Sequence, residues 1–208
     1  MSVSLRCYST SLGCPKNRVD TERLLGSLGV ALVPVESPDE AELVFINTCA
    51  FIQPATEESV RTIAQAIADI EELPKRPLLA VAGCLVGRYH AEDLAPELPE
   101  VDLWLDNSDL EAWPAMLARK LGLPEPTVPG RILSTGPSYA WLKISDGCRH
   151  ACSFCAIPNI RGGHRSHCKD MIVREARALL DQGVKELNLV AQDLTEWGCD
   201  LDGKQDLR

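Results

Sequence analysis

Three cysteines stand close together in the stretch DGCRHACSFCAIP, which runs from Asp146 to Pro158. Cys148, Cys152 and Cys155 are separated by three and then two residues. Three thiolates at this spacing can bind three corners of one iron-sulfur cube and leave its fourth iron without a protein ligand. A metal centre keeps such an open position when a small molecule must bind and react there, whereas a structural site is closed by a fourth ligand. The triplet therefore predicts a reactive iron-sulfur site.

The residues around this triplet resemble those of the radical S-adenosylmethionine (SAM) enzymes, which carry an aromatic residue just before the third cysteine. Phe154 occupies that position here. More narrowly, the stretch YAWLKISDGCRHACSFCAIPNIRGGHRS is similar to the methylthiotransferase family. The resemblance implies that Cys148, Cys152 and Cys155 hold a 4Fe-4S cluster that binds SAM, with Phe154 next to the cofactor. Half of a zinc knuckle, or a loop of buried thiols, is the alternative that a lone Cys-x2-Cys would favour.

The bulk composition predicts a globular protein of one large or two modest domains. The chain has 208 residues, of which 45% are hydrophobic and 25% charged. No apolar run approaches the length of a membrane span, and the first residues lack the charged-then-apolar layout of a signal peptide. We therefore expect a cytoplasmic protein that does not associate with membranes.

The cysteine count and the net charge indicate which classes of function the chain can have. Nine cysteines are many for a protein in a reducing compartment, where such enrichment indicates metal binding or catalysis rather than disulfides. The net charge of -9 argues against a broad basic face that grips nucleic acid, so we expect no direct DNA binding.

The first part of the chain repeats the order strand, cysteine, helix. The predicted strands span residues 3–9, 43–46 and 78–82, and the predicted helices span about 18–28, 54–74 and 88–98. Cys14, Cys49 and Cys84 each follow one of these strands at equal spacing. In a parallel sheet the carboxyl ends of the strands share one edge, so folding would gather the three thiols. This placement predicts a second three-thiolate site; three buried thiols are the alternative.

The sequences around these cysteines resemble the N-terminal domain of the methylthiotransferase family, with SLGCPKN, INTCAF and VAGCLV in place of the family's three cysteine motifs. The resemblance implies a second 4Fe-4S cluster on Cys14, Cys49 and Cys84, whose open iron carries the sulfur to be inserted. GCPKN is similar to the branch that modifies a ribosomal protein, whereas the branch that modifies transfer RNA tends toward GCQMN.

The remaining segments complete a prediction of the α/β class. A strand at 101–106 and a helix capped by Ser108 end a parallel-sheet domain at residue 121, and the Pro- and Gly-rich stretch 122–136 is a linker. Residues 137–208 then begin a partial (β/α) barrel, with strands at 139–145 and 184–191 around a helix that Asp170 caps and Gly183 ends.

The second barrel strand leads into ELNLVAQDLTEWGCDL, which is similar to the family's ELxLVxQDxTxYG. The resemblance makes Gln192 and Asp193 candidates to touch SAM. Two departures are Trp197, where the family usually has tyrosine, and His167 with Cys168, where it more often has arginine and a turn. No motif surrounds the remaining three cysteines, and no catalytic acid or base is assigned. These unassigned cysteines are Cys7, Cys168 and Cys199.

The resemblance implies a complete activity and also a longer protein. Family members continue through the rest of the barrel into a small C-terminal TRAM-type domain, so we expect this chain to be an N-terminal fragment. The implied reaction places a methylthio group on the β-carbon of an aspartate in ribosomal protein twelve of the small subunit. It uses two 4Fe-4S clusters, SAM and an external electron donor. The alternatives are a transfer RNA adenosine as substrate, or a non-catalytic zinc or iron-sulfur module.

Overall fold

The computed structural model describes residues 4–202 of the chain. The chain divides into two compact units, one ending at Ile132 and the other beginning at Leu133. Among the described residues, no helix is both long enough and apolar enough to cross a membrane.

The first unit is built on a five-stranded sheet in which all neighbouring strands run parallel. The strands are β1 (Ser4–Ser11), β2 (Ala31–Pro34), β3 (Leu43–Thr48), β4 (Leu78–Gly83) and β5 (Leu103–Asp106). Their order across the sheet is β2-β1-β3-β4-β5, so the direction of winding reverses between β1 and β3. Ligands of such sheets bind at this reversal, beyond the carboxyl ends of the strands.

Strands β3 and β4 lie inside the sheet, with a neighbouring strand on each side. Their residues are almost all buried. A parallel strand that is covered on both faces needs a nearly continuous apolar run, which LVFINT and LLAVAG supply. The polar exceptions are Asn47 and Thr48, which lie at the carboxyl end of β3 and are fully buried. Buried polar side chains at a strand end need partners. Asn47 donates its Nδ2 to the Asn17 carbonyl at 2.8 Å, and the bonds of Thr48 are described below.

The sheet is covered by helices that follow the strands along the chain. They are α1 (Pro15–Ser27), α2 (Gln53–Ile70), α3 (Cys84–Tyr89), α4 (Ala91–Leu94) and α5 (Trp113–Leu121). Proline stands in the first turn of α1, α2 and α5, where the backbone N–H groups have no partner within the helix. Leu24 of α1 and Trp113 and Leu117 of α5 pack with Phe45 of β3 in one apolar cluster. The predicted α/β class with an N-terminal parallel sheet is confirmed.

The structure corrects the prediction for the segment after β4. The helix expected at 88–98 is replaced by α3, which begins directly at Cys84, and by α4. The two helices are separated at His90, whose φ of 61° lies in the left-handed region and interrupts the helical path.

Two further predictions in the first unit differ from the structure. Ser108 does not cap α5; instead its N–H donates to the Asp106 carboxylate at 2.7 Å, and α5 begins at Trp113. Strand β2 was not predicted from the sequence. It is short, lies at the sheet edge and is mostly exposed, so it lacks the buried apolar run of a central strand.

The second unit contains a parallel strand pair joined by a helical crossover. Its elements are β6 (Tyr139–Lys143), β7 (Ser145–Asp146), α6 (Ile157–Arg161), β8 (Arg165–Ser166), α7 (Lys169–Asp181) and β9 (Glu186–Val190). β6 pairs in parallel with β9, and β7 pairs antiparallel with β8. Leu142, Leu179 and Val184 form the apolar core of this unit. The N-cap of α7 is Cys168 rather than the predicted Asp170.

The segment predicted as a linker, 122–136, includes residues that pack against α1. The Ile132 N–H donates to the Glu22 carbonyl at 3.1 Å. The Arg131 guanidinium binds the Glu22 carboxylate at 2.7 Å and 2.9 Å, and the two side chains are only 5% and 2% exposed. The first unit therefore extends to Ile132, beyond the predicted end at residue 121.

This buried ion pair makes a prediction about stability. Replacing Arg131 with methionine leaves the Glu22 carboxylate buried without its guanidinium, so the free energy of unfolding should fall by about 3 kcal/mol in urea denaturation. The matched control is Lys75→Met, which breaks an exposed ion pair with Glu42 and should cost less than about 1 kcal/mol. Equal losses for the two variants would mean that the Arg131 pair contributes no more than a surface contact.

Candidate metal centres

The first candidate site lies where three neighbouring parallel strands end. Cys14 stands at the N-cap of α1, in the turn after β1. Cys49 directly follows β3, and Cys84 directly follows β4 as the first residue of α3. Because β1, β3 and β4 are adjacent and parallel, their carboxyl ends share one edge of the sheet. The fold thus brings together, at one edge of the sheet, three cysteines that are far apart in sequence.

The side-chain amide of Asn17 joins the turns that carry these cysteines. Its Nδ2 donates to the Leu12 carbonyl at 3.0 Å and to the Thr48 carbonyl at 2.8 Å. Its Oδ1 faces Cys84 Sγ at 3.7 Å and Cys14 Sγ at 4.0 Å, where it accepts the weak S–H donors. Asn17 is completely buried, so water does not compete for these bonds. One amide therefore connects the turns after all three strands.

Two further buried side chains fix the turns after β3 and β4. Ser59 of α2 accepts the Cys49 N–H at 3.0 Å and donates to the Cys49 carbonyl at 2.7 Å. Thr48 donates its hydroxyl to the Ala82 carbonyl at 2.6 Å and accepts the Leu85 N–H at 3.2 Å. These bonds satisfy buried backbone groups at the strand ends, which would otherwise be left unpaired.

The donor set and the shape of this edge fit a cluster held by three thiolates. The backbone at Gly13, with φ of 84°, approaches Cys49 so closely that a Cβ there would lie 2.7 Å from Cys49 Sγ. Asn107 donates its Nδ2 to Cys84 Sγ at 3.8 Å. Thiolates select iron-sulfur clusters, zinc and copper(I) over hard cations such as magnesium. The edge therefore presents sulfur ligands, with a glycine where a side chain would crowd them.

Cys7 is separate from this group although it lies in β1. It is buried in the apolar cluster of the sheet, and burial raises the pKa of its thiol to about 12. A thiol with so high a pKa stays protonated at neutral pH, which makes it a poor nucleophile and a poor ligand. Cys7 is therefore a core residue.

The second candidate site is the loop between β7 and α6. Cys152 is exposed, and Cys148 and Cys155 are partly exposed. The Cys155 N–H donates to the Cys152 carbonyl at 3.0 Å, which curls the loop at its third cysteine. Phe154 extends outward with 88% of its surface exposed. Three accessible thiols on a short loop fit a cluster that must also admit a small molecule.

A buried ion cluster closes the base of this loop. The Asp146 carboxylate accepts from Lys143 Nζ at 2.8 Å and from Arg161 Nη1 at 3.0 Å, and all three side chains are at most 5% exposed. Burial alone would raise the pKa of Asp146, but the two cations and their hydrogen bonds lower it well below the usual range. Asp146 precedes the cysteines in sequence and Arg161 follows them. The ion pair between these two side chains therefore connects the two ends of the loop.

The turn after β9 contacts the same loop through charged side chains. Asp193 Oδ2 lies 3.0 Å from His150 Nε2, and its Oδ1 accepts from the Thr195 N–H and hydroxyl. Hydrogen bonds from Thr195 and His150 lower the pKa of Asp193. Glu196 forms an ion pair with Arg149. Both oxygens of the Asp193 carboxylate are thus engaged, one with His150 of the cysteine loop and the other within its own turn.

Gln192 differs from its neighbour Asp193 because its amide is not engaged. Its Oε1 and Nε2 are shielded from water and have no hydrogen-bond partner within residues 4–202. Leaving a buried amide unpaired costs about 1–3 kcal/mol per group, so such an amide is suited to a ligand. Of the two candidates that the sequence provides, Gln192 has the side chain available for a bound molecule.

The two departures from the family pattern lie against each other. The Trp197 indole N–H donates to the His167 carbonyl at 3.0 Å, and Trp197 is buried in the core of the second unit. Because the acceptor is a backbone carbonyl, the bond does not require histidine at position 167. Cys168 is exposed at the N-cap of α7.

Sequence reasoning missed the residues that support the cysteines. Asn17 lies inside GCPKN, and the sequence analysis used that stretch only to choose between branches of the family. Ser59 lies outside every motif, and Asp146 begins the stretch DGCRHACSFCAIP without showing its role, because the roles of both residues depend on contacts that appear only after folding.

Comparisons with known proteins find relatives for nearly the whole chain. Residues 6–106 match the profile described as "Uncharacterized protein family UPF0004". Proteins named ribosomal protein uS12 methylthiotransferase RimO are similar to nearly the whole chain. The relative from Nitratidesulfovibrio vulgaris strain DP4 is 70% identical over 194 residues, and that from Lawsonia intracellularis is 57% identical over 208 residues.

The similarity is confined to one part of these relatives. The alignment with the first covers 93% of this chain and 45% of the relative, and that with the second covers 100% and 47%. A more distant relative from Aquifex aeolicus, 50% identical over 194 residues, shows the same proportions, with 92% and 42% covered. The chain thus spans less than half the length of the curated relatives it matches.

The first site makes a prediction about Asn17. Replacing it with alanine removes both donors to the Leu12 and Thr48 carbonyls, so the turns loosen and iron bound by this site should fall at least about twofold. Iron and sulfide are measured in a chain whose second trio is changed to alanine, so that only the first site contributes. Asn188→Ala, which removes an exposed amide, is the control and should retain its iron. Equal iron in the two variants would contradict the role of Asn17.

The second site makes a prediction about Arg161. Methionine at this position removes one of the two cations that hold buried Asp146, so the free energy of unfolding should fall by about 3 kcal/mol. The loosened loop should also be cut faster between Cys148 and Cys155 in limited proteolysis, scored by mass spectrometry. Arg165→Met removes an exposed guanidinium from β8 and should change neither quantity. A loop that is cut no faster in the Arg161 variant would show that the ion cluster does not hold it.

Proposed function

Because the chain is homologous over nearly its whole length to the N-terminal part of the ribosomal protein uS12 methylthiotransferases, we propose that it serves the same reaction. The proposed reaction transfers a methylthio group to the β-carbon of an aspartate in ribosomal protein uS12. The observation that carries the proposal is the convergence of Cys14, Cys49 and Cys84 at the carboxyl ends of three adjacent strands. A purely structural role would not require thiols at this ligand-binding edge.

Each cysteine trio is proposed to hold one 4Fe-4S cluster, and the second cluster to hold SAM. When bound, these groups supply the radical that activates the substrate carbon and the sulfur that is added to it. The protein supplies ligands and orientation: Asn17 and Ser59 hold the first trio, and Asp146 and Arg161 hold the loop of the second. Three thiolates per site leave one iron of each cube without a protein ligand.

Three residues beside the second trio have separate proposed roles in binding SAM. Gln192 is proposed to contact SAM because its shielded amide has no other partner in the described part of the chain. Phe154 is proposed to pack against the cofactor, since its ring is exposed on the cysteine loop. Asp193, whose oxygens bind His150 and Thr195, is proposed to position the loop that carries the cluster.

The proposed reaction implies a protein partner, a compartment and a reductant. The substrate is a ribosomal protein of the small subunit, which places the reaction in the cytoplasm. Activating SAM requires an electron, so an external reductant must deliver it. The net charge of -9 gives the chain no general attraction for nucleic acid.

A transfer RNA substrate is the rival within the same chemistry, and a zinc module is the rival outside it. Pro15 and Lys16 in the first cysteine motif resemble the ribosomal branch. The relatives quoted above are all named for uS12. Neither observation favours transfer RNA as the substrate. The experiment below distinguishes the uS12 substrate, the transfer RNA substrate and the zinc module.

The test is anaerobic reconstitution of the chain with iron and sulfide, followed by addition of SAM. We expect about eight irons per chain and an electron paramagnetic resonance signal that SAM changes. Cys152→Ala should lose about half the iron and the whole response to SAM, whereas Cys168→Ala, which changes an exposed cysteine outside both trios, should lose neither.

The outcomes against the proposal are equally distinct. Stoichiometric zinc without sulfide would identify a zinc module. Clusters whose signal ignores SAM would identify an electron carrier. Methylthio transfer to an adenosine of transfer RNA, but not to an uS12 peptide, by the loaded protein would keep the chemistry and replace the substrate.

A further inference from the structure

A third set of metal ligands lies in the second unit, outside both cysteine trios. A ring nitrogen of His164, Cys199 Sγ and an oxygen of Asp200 all lie within 4.8 Å of one another. Nitrogen, sulfur and carboxylate oxygen are the three donor types that zinc binds in proteins. No motif in the sequence assigns a role to Cys199.

The backbone around this group is already fixed. The His164 side chain is only 3% exposed, and its Nε2 lies 3.5 Å from Asp200 Oδ1. The Ser166 N–H donates to Asp200 Oδ2 at 2.8 Å, and the Gly198 N–H donates to Ser166 Oγ at 2.9 Å. The segment around β8 and the turn after β9 are therefore held together before any ion binds, which lowers the cost of assembling a site.

A second group with similar spacing is a weaker candidate. His150, Asp193 and Glu196 also bring ligand atoms within 4.8 Å. However, Glu196 is paired with Arg149, and both Asp193 oxygens are engaged. A cation there would have to displace a guanidinium. In the first group a cation would replace the hydrogen bond between His164 Nε2 and Ser166 Oγ, at 3.1 Å, and would leave the bond from the Ser166 N–H to Asp200 Oδ2 in place.

We propose that His164, Cys199 and Asp200 bind one zinc-type divalent cation through Nε2, Sγ and Oδ1. Three protein ligands leave the fourth tetrahedral position for water. Ser166 keeps its bond to the Gly198 N–H, so the ion clamps the β8 segment to the turn after β9. This site is independent of the clusters proposed for the two trios.

The first test uses the chain itself, with Cys168 as an internal control. Alkylation of each thiol is followed by mass spectrometry in the presence and absence of Zn²⁺. With zinc at about ten times the dissociation constant, alkylation of Cys199 should slow about tenfold and recover on adding a chelator. Cys168 is also exposed but has no partner ligands in either three-residue group, so zinc should not protect it. Equal behaviour of the two thiols would overturn the proposal.

The second test compares matched variants after dialysis against zinc. Cys199→Ser should retain one zinc fewer per chain than Cys168→Ser. Because both variants keep all six trio cysteines, zinc or clusters in those sites contribute equally and cancel. The same zinc content in both variants would identify only an adventitious surface ion and would refute the site, whether or not the proposed methylthiotransferase activity is correct.

Discussion

The arrangement of the first unit depends on three parallel strands ending at one edge with a buried amide between their turns. Parallel pairing of β1, β3 and β4 sets where Cys14, Cys49 and Cys84 lie. The pairing alone leaves the turns without partners for their backbone groups. Asn17 supplies those partners and turns its oxygen toward two of the sulfurs. The placement of the three cysteines is thus a consequence of sheet topology, and the contacts of two of their sulfurs are a consequence of one side chain.

In the second unit, charged side chains rather than an amide hold the segment that contains the cysteines. A short loop between β7 and α6 has no sheet edge to order its cysteines. A buried carboxylate between two cations fixes both ends of this loop. Fully buried ion pairs are costly to assemble but also costly to break, so they hold one geometry. The middle of the loop stays open, as binding of a small molecule requires.

Much of this architecture could be predicted from the sequence, and the rest could not for physical reasons. The central strands were predictable because LVFINT and LLAVAG are continuous apolar runs, and the cysteines were placed because each follows such a strand. Asn17 and Ser59 were not, since their partners are backbone atoms distant along the chain. The start of α3 was misplaced because the helix begins at Cys84 without a capping side chain, and the edge strand β2 is too exposed to show a pattern.

The central claim is that each trio holds a cube with one iron open to an outside ligand. The direct measurement is electron-nuclear double resonance on the reduced cluster of a chain that keeps only Cys14, Cys49 and Cys84, after adding imidazole labelled with nitrogen-15. We predict a nitrogen hyperfine coupling, because the unligated iron accepts the imidazole. A cluster signal without that coupling would show that a fourth protein ligand closes the cube, and would contradict the account.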